Sequence, residues 1–266
     1  MLNVKDRGNL IAQFPEEDFA KKGLGAVFRE KIRVTEFRDT PPEYQELVTR
    51  LLTIQADCEI GSAHIYGAKW LLRAPTADDM HQLSRMISEE VDHFRKFNRL
   101  LKEISADGMQ LLRKESSERF LDALKVSELP TWSDVTAFSF LIDRVGKYQL
   151  EEFLDSSFLP LNEAALLPVI ISEESQHVAY GQSKMMDLCA DPKGRAEAQQ
   201  ALNRWYPLAL DMFGRSSSRR CWRYLEWGLK RRTNAEARRD YIEEVNPQIA
   251  AMGLEIPDET AGRKYM

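Results

Sequence analysis

The sequence feature that most constrains the fold is a pair of matching motifs that place acids and an imidazole inside apolar helical stripes. The first, ISEEVDHF, contains Glu90 and His93, and the second, ISEESQHV, contains Glu174 and His177. Residues three apart lie side by side on an α-helix, and apolar residues continue the same stripe on both sides of each pair. A single Glu-x-x-His pair is common on helix surfaces, but two in apolar surroundings indicate a shared purpose.

Each motif has an acidic residue at the same distance upstream. Glu59 and Asp143 both lie 31 residues before the glutamate of the motif that follows them. The midpoints of these intervals fall near Pro75 and Phe158, where the sequence predicts helix breaks. Each acid is then about 15 residues, or roughly 22 Å of helix, from its turn. Two antiparallel hairpins would therefore bring each upstream acid level with its motif.

The remaining periodicity predicts an all-α protein. Nothing alternates with period two over a useful length, so no strands are predicted. Pro168 is expected to bend the helix that carries the second motif. Helices are predicted at 42–74, 76–104, 109–125, 133–155, 161–189, 195–213, 217–229 and 233–244.

These helices predict a single domain with three parts. Residues 1–40 mix charge, Gly and Pro without periodicity, so we expect an arm or strap. Residues 41–192 are expected to form a ferritin-like four-helix bundle that contains both motifs. Residues 193–266 are expected to form additional C-terminal helices that pack on the bundle.

Docking the two hairpins face to face would bring four carboxylates and two imidazoles to one height in the bundle core. This is the ligand arrangement of di-iron and di-manganese carboxylate proteins. Hard oxygen ligands with imidazole suit two iron ions, although manganese remains an alternative. Without metal, four buried carboxylates would repel one another or take up protons. The six predicted metal ligands are Glu59, Glu90, His93, Asp143, Glu174 and His177.

Three of these ligands are also the candidate catalytic residues. Flexible carboxylates can change how they coordinate a metal when oxygen binds. We therefore assign the catalytic role to Glu59, Glu90 and Glu174. Asp143 has an alternative explanation as the salt-bridge partner of Lys147, one turn on. The repeated spacing favours Asp143 as a ligand.

The residue before each motif glutamate is a candidate partner for the imidazole. Glu89 and Glu173 each lie four residues before the histidine of their own motif. On a helix, each could accept a hydrogen bond from that imidazole, one turn away. The alternative is that both glutamates face solvent.

Composition narrows the class of protein. The net charge is −5, and the basic residues are scattered apart from a group at 219–232, so no nucleic-acid partner is expected. Three distant cysteines without a Cys-x-x-Cys pair indicate a reducing, cytoplasmic compartment. No run of about 18 apolar residues occurs, so no membrane span is expected. The basic group comprises Arg219, Arg220, Arg223, Lys230, Arg231 and Arg232.

Several longer stretches resemble the catalytic A subunits of bacterial phenylacetyl-coenzyme A epoxidases, a family of multicomponent di-iron monooxygenases. The resemblance covers about residues 42–258 and places the metal positions of the family on the same six residues. It also implies that Arg50 is a basic residue near the coenzyme A entrance, where Met86 replaces an expected lysine. The stretches include CEIGSAHIYGAKWLLRAP, TWSDVTAFSFLID, SEESQH, LNRWYPLALDMFG and VNPQIAAMGLEIPD.

The resemblance implies a di-iron monooxygenase subunit that uses oxygen as co-substrate and acts on an acyl-CoA or related thioester. The sequence has no dinucleotide, flavin or iron–sulfur motif, so electrons are expected from a separate NAD(P)H-dependent reductase. A related helical structural subunit is implied as a partner, with a homo-oligomer as the alternative. The alternative functions are a ferritin-like iron-handling (ferroxidase) bundle and a non-catalytic structural subunit. About 75 residues beyond the fourth long helix favour the enzyme.

Overall fold

A computed structural model describes residues 28–126, 129–163 and 166–265 of the chain. Within these ranges the regular structure is helical, apart from one isolated parallel bridge between Ile32 and Phe158. The all-α prediction is therefore confirmed. None of the described helices combines the length and the hydropathy needed to cross a membrane. The α-helices are α1 Pro42–Ile65, α2 Ala77–Glu103, α3 Trp132–Phe138, α4 Arg144–Glu151, α5 Leu166–Leu188, α6 Pro192–Met212, α7 Arg219–Glu226 and α8 Asn234–Ala251.

The first hairpin turns where the spacing of the motifs predicts. After α1 the chain continues through a π-helical segment, Tyr66–Trp70, and a short 3-10 turn before it breaks at Pro75. Thr76 then caps α2, because its hydroxyl accepts a hydrogen bond of 3.0 Å from the backbone N–H of Asp79. α1 and α2 pack against each other as an antiparallel pair.

The second hairpin is built from α3 and α4 on one side and α5 on the other. A π-helical segment, Ser139–Asp143, joins α3 to α4 without a break in the helix. α5 is described over Leu166–Leu188, which includes Pro168. The bend expected at Pro168 stays a prediction.

The helix predicted at 109–125 is wrong. This segment forms three short 3-10 turns at Met109–Arg113, Ser116–Glu118 and Asp122–Leu124. The guanidinium of Arg119 is buried and donates to Asp57 on α1 at 2.9 Å. The backbone bends around this contact instead of continuing as a helix.

The core consists of two hydrophobic clusters with a polar layer between them. In α2, Leu83 and Met86 belong to one cluster, while Phe94 and Phe97 belong to the other. In α5 the order is reversed, as expected for helices that run in opposite directions. The polar layer lies at the change from one cluster to the other. It comprises Glu59, Glu90, His93, Asp143, Glu174 and His177.

The segments before and after the bundle pack on its outside. Phe28 lies 5.6 Å from Trp227 and 6.2 Å from Tyr44, measured between ring centroids. α6 packs on α3, where Trp205 lies 5.2 Å from Phe138 and donates to Asp134 at 3.0 Å. The arm predicted at 1–40 thus includes described residues that pack on the bundle, and residues 1–27 lie outside the described residues.

We expect Gly181→Ala to lower the free energy of unfolding by about 1–3 kcal/mol, because α5 approaches the π-helical segment too closely for a side chain. A Cβ at Gly181 would lie 2.4 Å from the backbone N of Phe140. Gly146→Ala is the control, since a Cβ at Gly146 would meet no atom within 4 Å. This change should raise the stability by about 0.5–1 kcal/mol. Urea unfolding of the metal-free variants tests this, and equal stability of Gly181→Ala and wild type would contradict it.

Candidate metal centre

Four buried side chains from three helices converge at the centre of the polar layer. Glu59 of α1, Glu90 and His93 of α2, and Glu174 of α5 place one potential ligand atom each within 4.8 Å of one another. None of the four is more than 4% exposed. The two hairpins therefore meet at the level that the spacing of the motifs predicts.

Both imidazoles of the layer turn Nδ1 towards the carboxylates. Nδ1 of His93 lies 3.1 Å from Glu59 and 3.3 Å from Glu174. Nδ1 of His177 lies 3.5 Å from Glu90 and 3.7 Å from Glu174, and no hydrogen bond satisfies it. A buried polar atom without a partner is costly, and a metal ion would relieve that cost.

Asp143 closes the layer from the second hairpin. The hydroxyl of Tyr66 donates a hydrogen bond of 2.7 Å to Asp143. Lys147, the alternative partner of Asp143, instead lies 3.7 Å from Glu151. A cavity of about 30 Å³ opens between Asp143 and the carboxylates of Glu59, Glu90 and Glu174. This volume admits one or two ligands the size of water.

The outer nitrogens of the imidazoles are bound across the hairpins. Nε2 of His93 lies 2.8 Å from Glu173 on α5, and Nε2 of His177 lies 2.8 Å from Glu89 on α2. Glu89 and Glu173 are thus partners of the imidazoles, as the sequence suggests. The prediction that each binds the histidine of its own helix is wrong. Two helices packed side by side bring these groups closer than one turn of a single helix does.

The charges in the layer depend on one another. Burial alone would lower the pKa of His93, but the carboxylates of Glu174 and Glu59 raise it to about 11. Burial also opposes a positive charge on His177, yet the negative charge of Glu174 holds its pKa well above the usual value. Burial and the charge of Glu174 raise the pKa of Glu90 well above its usual value. Protons therefore neutralise this layer when no cation does.

The carboxyls of Glu174 and Asp143 respond in opposite directions. Burial would raise the pKa of Glu174, but the two neighbouring imidazoles lower it to about 2. Burial and the charge of Glu174 raise the pKa of Asp143 to about 7. Four carboxylates and two imidazoles with these charges suit two divalent cations, because the cations would replace the protons.

Two polar residues beside the layer are not predicted as site residues. Gln55 donates a hydrogen bond of 2.9 Å to Glu59, and Ser139 donates one of 2.7 Å to the backbone carbonyl of His177. Gln55 lies one turn before Glu59 on the same helix, so its spacing is the signal that could identify it. Ser139 lies in a π-helical segment, and such segments are common at functional sites. The spacing of residues in the sequence does not predict where such a segment forms.

The structure places the remaining candidates away from the layer. Arg50 is half-buried on α1, nine residues before Glu59 or about 13.5 Å along the helix. His64, a histidine outside both motifs, is exposed and lies 2.9 Å from the guanidinium of Arg119. Met86, the residue in place of the expected lysine, is fully buried in the core. The structure thus brings together all six predicted ligands, whose binding of metal stays a prediction.

Comparison with known proteins agrees with the resemblance seen in the sequence. The profile of a family described as "Phenylacetic acid catabolic protein" matches residues 11–265. The A subunit of 1,2-phenylacetyl-CoA epoxidase from Escherichia coli (strain K12) is 28% identical over 228 residues, which cover 82% of this chain and 71% of that protein. Benzoyl-CoA oxygenase component B from Aromatoleum evansii is 27% identical over 230 residues, which cover 75% of this chain and 48% of that protein. The match thus spans about half the length of the second relative.

We expect Glu89→Gln to lower the pKa of His177 more than that of His93, and Glu173→Gln to do the reverse. Loss of a negative hydrogen-bond acceptor destabilises the imidazolium that it contacts. Imidazole NMR titrations of the metal-free variants measure both values, and each variant is the matched control of the other. If Glu89→Gln changes the pKa of His93 more than that of His177, the contacts between Glu89 and His177 and between Glu173 and His93 would be contradicted.

We expect binding of Mn²⁺ near pH 7.5 to release at least one proton per chain, because the neighbouring carboxylates raise the pKa of His93 to about 11 and the metal would replace that proton. The pKa values of His177 and Glu90 are also raised well above their usual values, so the apparent affinity should rise as the pH rises. Isothermal titration in two buffers with different ionisation enthalpies counts the protons. A binding heat that is the same in both buffers would contradict this expectation.

Proposed function

The chain belongs to the phenylacetic acid catabolic protein family, and from this membership we propose that it is the di-iron subunit of a multicomponent monooxygenase. Its substrate would be an aromatic acyl thioester. The observation that carries the proposal is the buried Nδ1 of His177, which makes no hydrogen bond to the described residues and faces a layer of four carboxylates. Such a layer has no role in packing, since apolar side chains would fill the same space at lower cost.

The proposed iron ligands are the six residues of the polar layer. Iron, when bound there, supplies the activation of dioxygen and the transfer of one oxygen atom. The donor set also suits manganese. Iron is favoured because the two named relatives are an epoxidase and an oxygenase.

Neighbouring side chains would hold these ligands in place. Glu89 and Glu173 fix the rings of the two imidazoles through their outer nitrogens. Tyr66 and Gln55 restrict the rotation of Asp143 and Glu59. Among the candidate catalytic carboxylates, Glu90 and Glu174 have no such donor apart from the imidazoles, within the part of the chain that is described. They are therefore the carboxylates most free to move when substrate arrives.

The substrate class follows from the names of the two relatives. One is named for phenylacetyl-CoA and the other for benzoyl-CoA, so the shared chemistry is an aromatic acyl group joined to coenzyme A by a thioester. Met86 replaces the lysine expected near the coenzyme A entrance. This difference supports a choice of acyl group or carrier that departs from phenylacetyl-CoA.

Partner proteins are part of the proposal. One relative is named as a component and the other as a subunit, and both names denote parts of larger assemblies. A separate NAD(P)H-dependent reductase would supply electrons. A related helical subunit, or a second copy of this chain, would complete the assembly.

We expect Glu90→Ala and Glu174→Ala to lose most of the bound iron while they keep their helix content. Each change removes a central ligand but deletes little apolar contact. Glu103→Ala is the matched control, because Glu103 is exposed on α2, the helix that also carries Glu90. Iron analysis and circular dichroism after anaerobic reconstitution measure both properties. Unchanged iron content in either ligand variant would contradict the proposed centre.

We expect the iron-loaded protein, with a reductase, to consume NADH only when an aromatic acyl-CoA is present. Oxygen uptake and mass analysis of the product provide the measurement, and the Glu174→Ala protein serves as the inactive control. Iron oxidation and accumulation without organic substrate would instead identify an iron-handling bundle. Full iron loading with neither activity would identify a structural subunit.

A further inference from the structure

A second cavity, of about 190 Å³, adjoins the small cavity of the metal centre. The two cavities share three lining residues, Gln55, Gln149 and Met212. We infer that the larger cavity is the passage through which the acyl group reaches the metal centre, and that Arg220 and Lys230 at its outer end bind the phosphate groups of the carrier. This inference rests on the proposed function and assigns its substrate a route.

The inner end of this passage is closed by side chains that can move. The amide of Gln149 donates a hydrogen bond of 3.2 Å to the backbone carbonyl of Met212, and the amide of Gln55 donates to Glu59 in the polar layer. Methionine is unbranched and flexible, so its side chain can move aside without disturbing the helix. Rotation of these three side chains would join the two cavities.

The walls of the passage suit an aromatic acyl group. A pocket for a whole drug-sized ligand has a volume of about 300–1,000 Å³. A cavity of about 190 Å³ is suited to the acyl end alone, with the carrier outside. The walls are formed mainly by apolar and aromatic side chains, which include Leu51, Ile54, Leu121, Phe153, Phe213 and Tyr224.

The outer end of the passage presents two cations that form no ion pair with the described residues. Arg220 is exposed, and Lys230 donates only to the neutral side chain of Asn234, at 3.4 Å. No carboxylate of residues 28–126, 129–163 or 166–265 lies within 4.0 Å of either cation. Arg223 of the same basic group, in contrast, lies 2.9 Å from Glu43. The two cations at the passage are therefore available to an anionic ligand.

Arg50 adds a third positive charge near this end. Burial raises the pKa of Tyr224 to about 12, and the charges of Arg50 and Arg220 oppose that rise. Both guanidinium groups therefore act on the Tyr224 hydroxyl, and the negative charge of Glu46 acts on it in the opposite direction.

A different cavity, of about 400 Å³, is less suited to this task. It shares only Leu124 with the cavity of the metal centre. Two of its cations are already engaged, because Arg119 and Lys114 lie 2.9 Å and 3.7 Å from Asp57. Arg113 lines this cavity and is exposed, so it provides a matched control for Arg220.

The test compares phenylacetyl-CoA with phenylacetyl-pantetheine, which lacks the 3′-phosphoadenosine diphosphate part of the carrier and so all of its phosphate groups. Dissociation constants are measured by isothermal titration on iron-loaded protein with its iron content determined. We expect the double variant Arg220→Gln, Lys230→Gln to bind phenylacetyl-CoA at least tenfold more weakly, and phenylacetyl-pantetheine as wild type does. Arg113→Gln and Arg219→Gln are the controls and should bind both thioesters normally. The tenfold difference should shrink as salt is added.

A second variant tests the inner end. Met212→Trp should fill the constriction and abolish turnover, while its iron content and its affinity for phenylacetyl-CoA remain within twofold of wild type. Met212→Phe replaces it if the tryptophan variant does not fold. Wild-type turnover in the folded Met212→Trp protein would overturn the assigned route.

Failure of the inferred passage and failure of the proposed function give different results. Iron-loaded wild type that binds phenylacetyl-CoA, with the same affinity in the double variant, would overturn the inferred phosphate contacts and leave the proposed function intact. A loss of affinity in Arg113→Gln instead would place the carrier at the other cavity. Iron-loaded wild type that binds neither thioester would overturn the inferred passage, whereas a protein that takes up no iron would overturn the proposed function.

Discussion

Repulsion among the carboxylates in one buried layer is the constraint on which the rest of the structure depends. Glu174 has neighbouring acids on the other helices and stays ionised because the two imidazoles turn Nδ1 towards it. Glu90 and Asp143 show the opposite response, since burial and the charge of Glu174 favour their protonated forms. A pair of cations would relieve the same repulsion without protons. Water cannot screen these charges, because hydrophobic clusters lie on both sides of the layer.

The fold and the metal centre differ in how far the sequence predicts them. The equal spacing of Glu59 and Asp143 from their motifs predicts the hairpins, because a helix has a fixed rise per residue. The rise per residue does not predict the structure of residues 109–125, because the backbone conformation there depends on the burial of Arg119 against Asp57. It also misplaces the partners of the imidazoles, since spacing along one helix gives no distance to the next. The π-helical segment that ends at Asp143 is likewise set by packing, through the close approach of α5.

The C-terminal helices connect the centre to the outside of the protein. Met212 at the end of α6 lines both the metal-centre cavity and the larger cavity beside it. The following segment and α7 supply Arg220 and Tyr224 at the opposite end of that larger cavity. Residues beyond the four-helix bundle thus form the walls that a bundle alone would lack. This distinguishes the architecture from one designed only to hold ions, because a substrate needs a shaped approach as well as a reactive centre.

The crossed contacts of the imidazoles have a wider consequence. Glu89 of the first hairpin reaches the histidine of the second, and Glu173 of the second reaches the histidine of the first. Reciprocal contacts of this kind characterise an interface between two copies related by a two-fold axis. The bundle therefore has the internal pseudo-symmetry of a homodimer joined into one polypeptide, in which neither half possesses a complete ligand environment. Duplication of an ancestral hairpin, followed by divergence of its outer surfaces, would produce this arrangement directly.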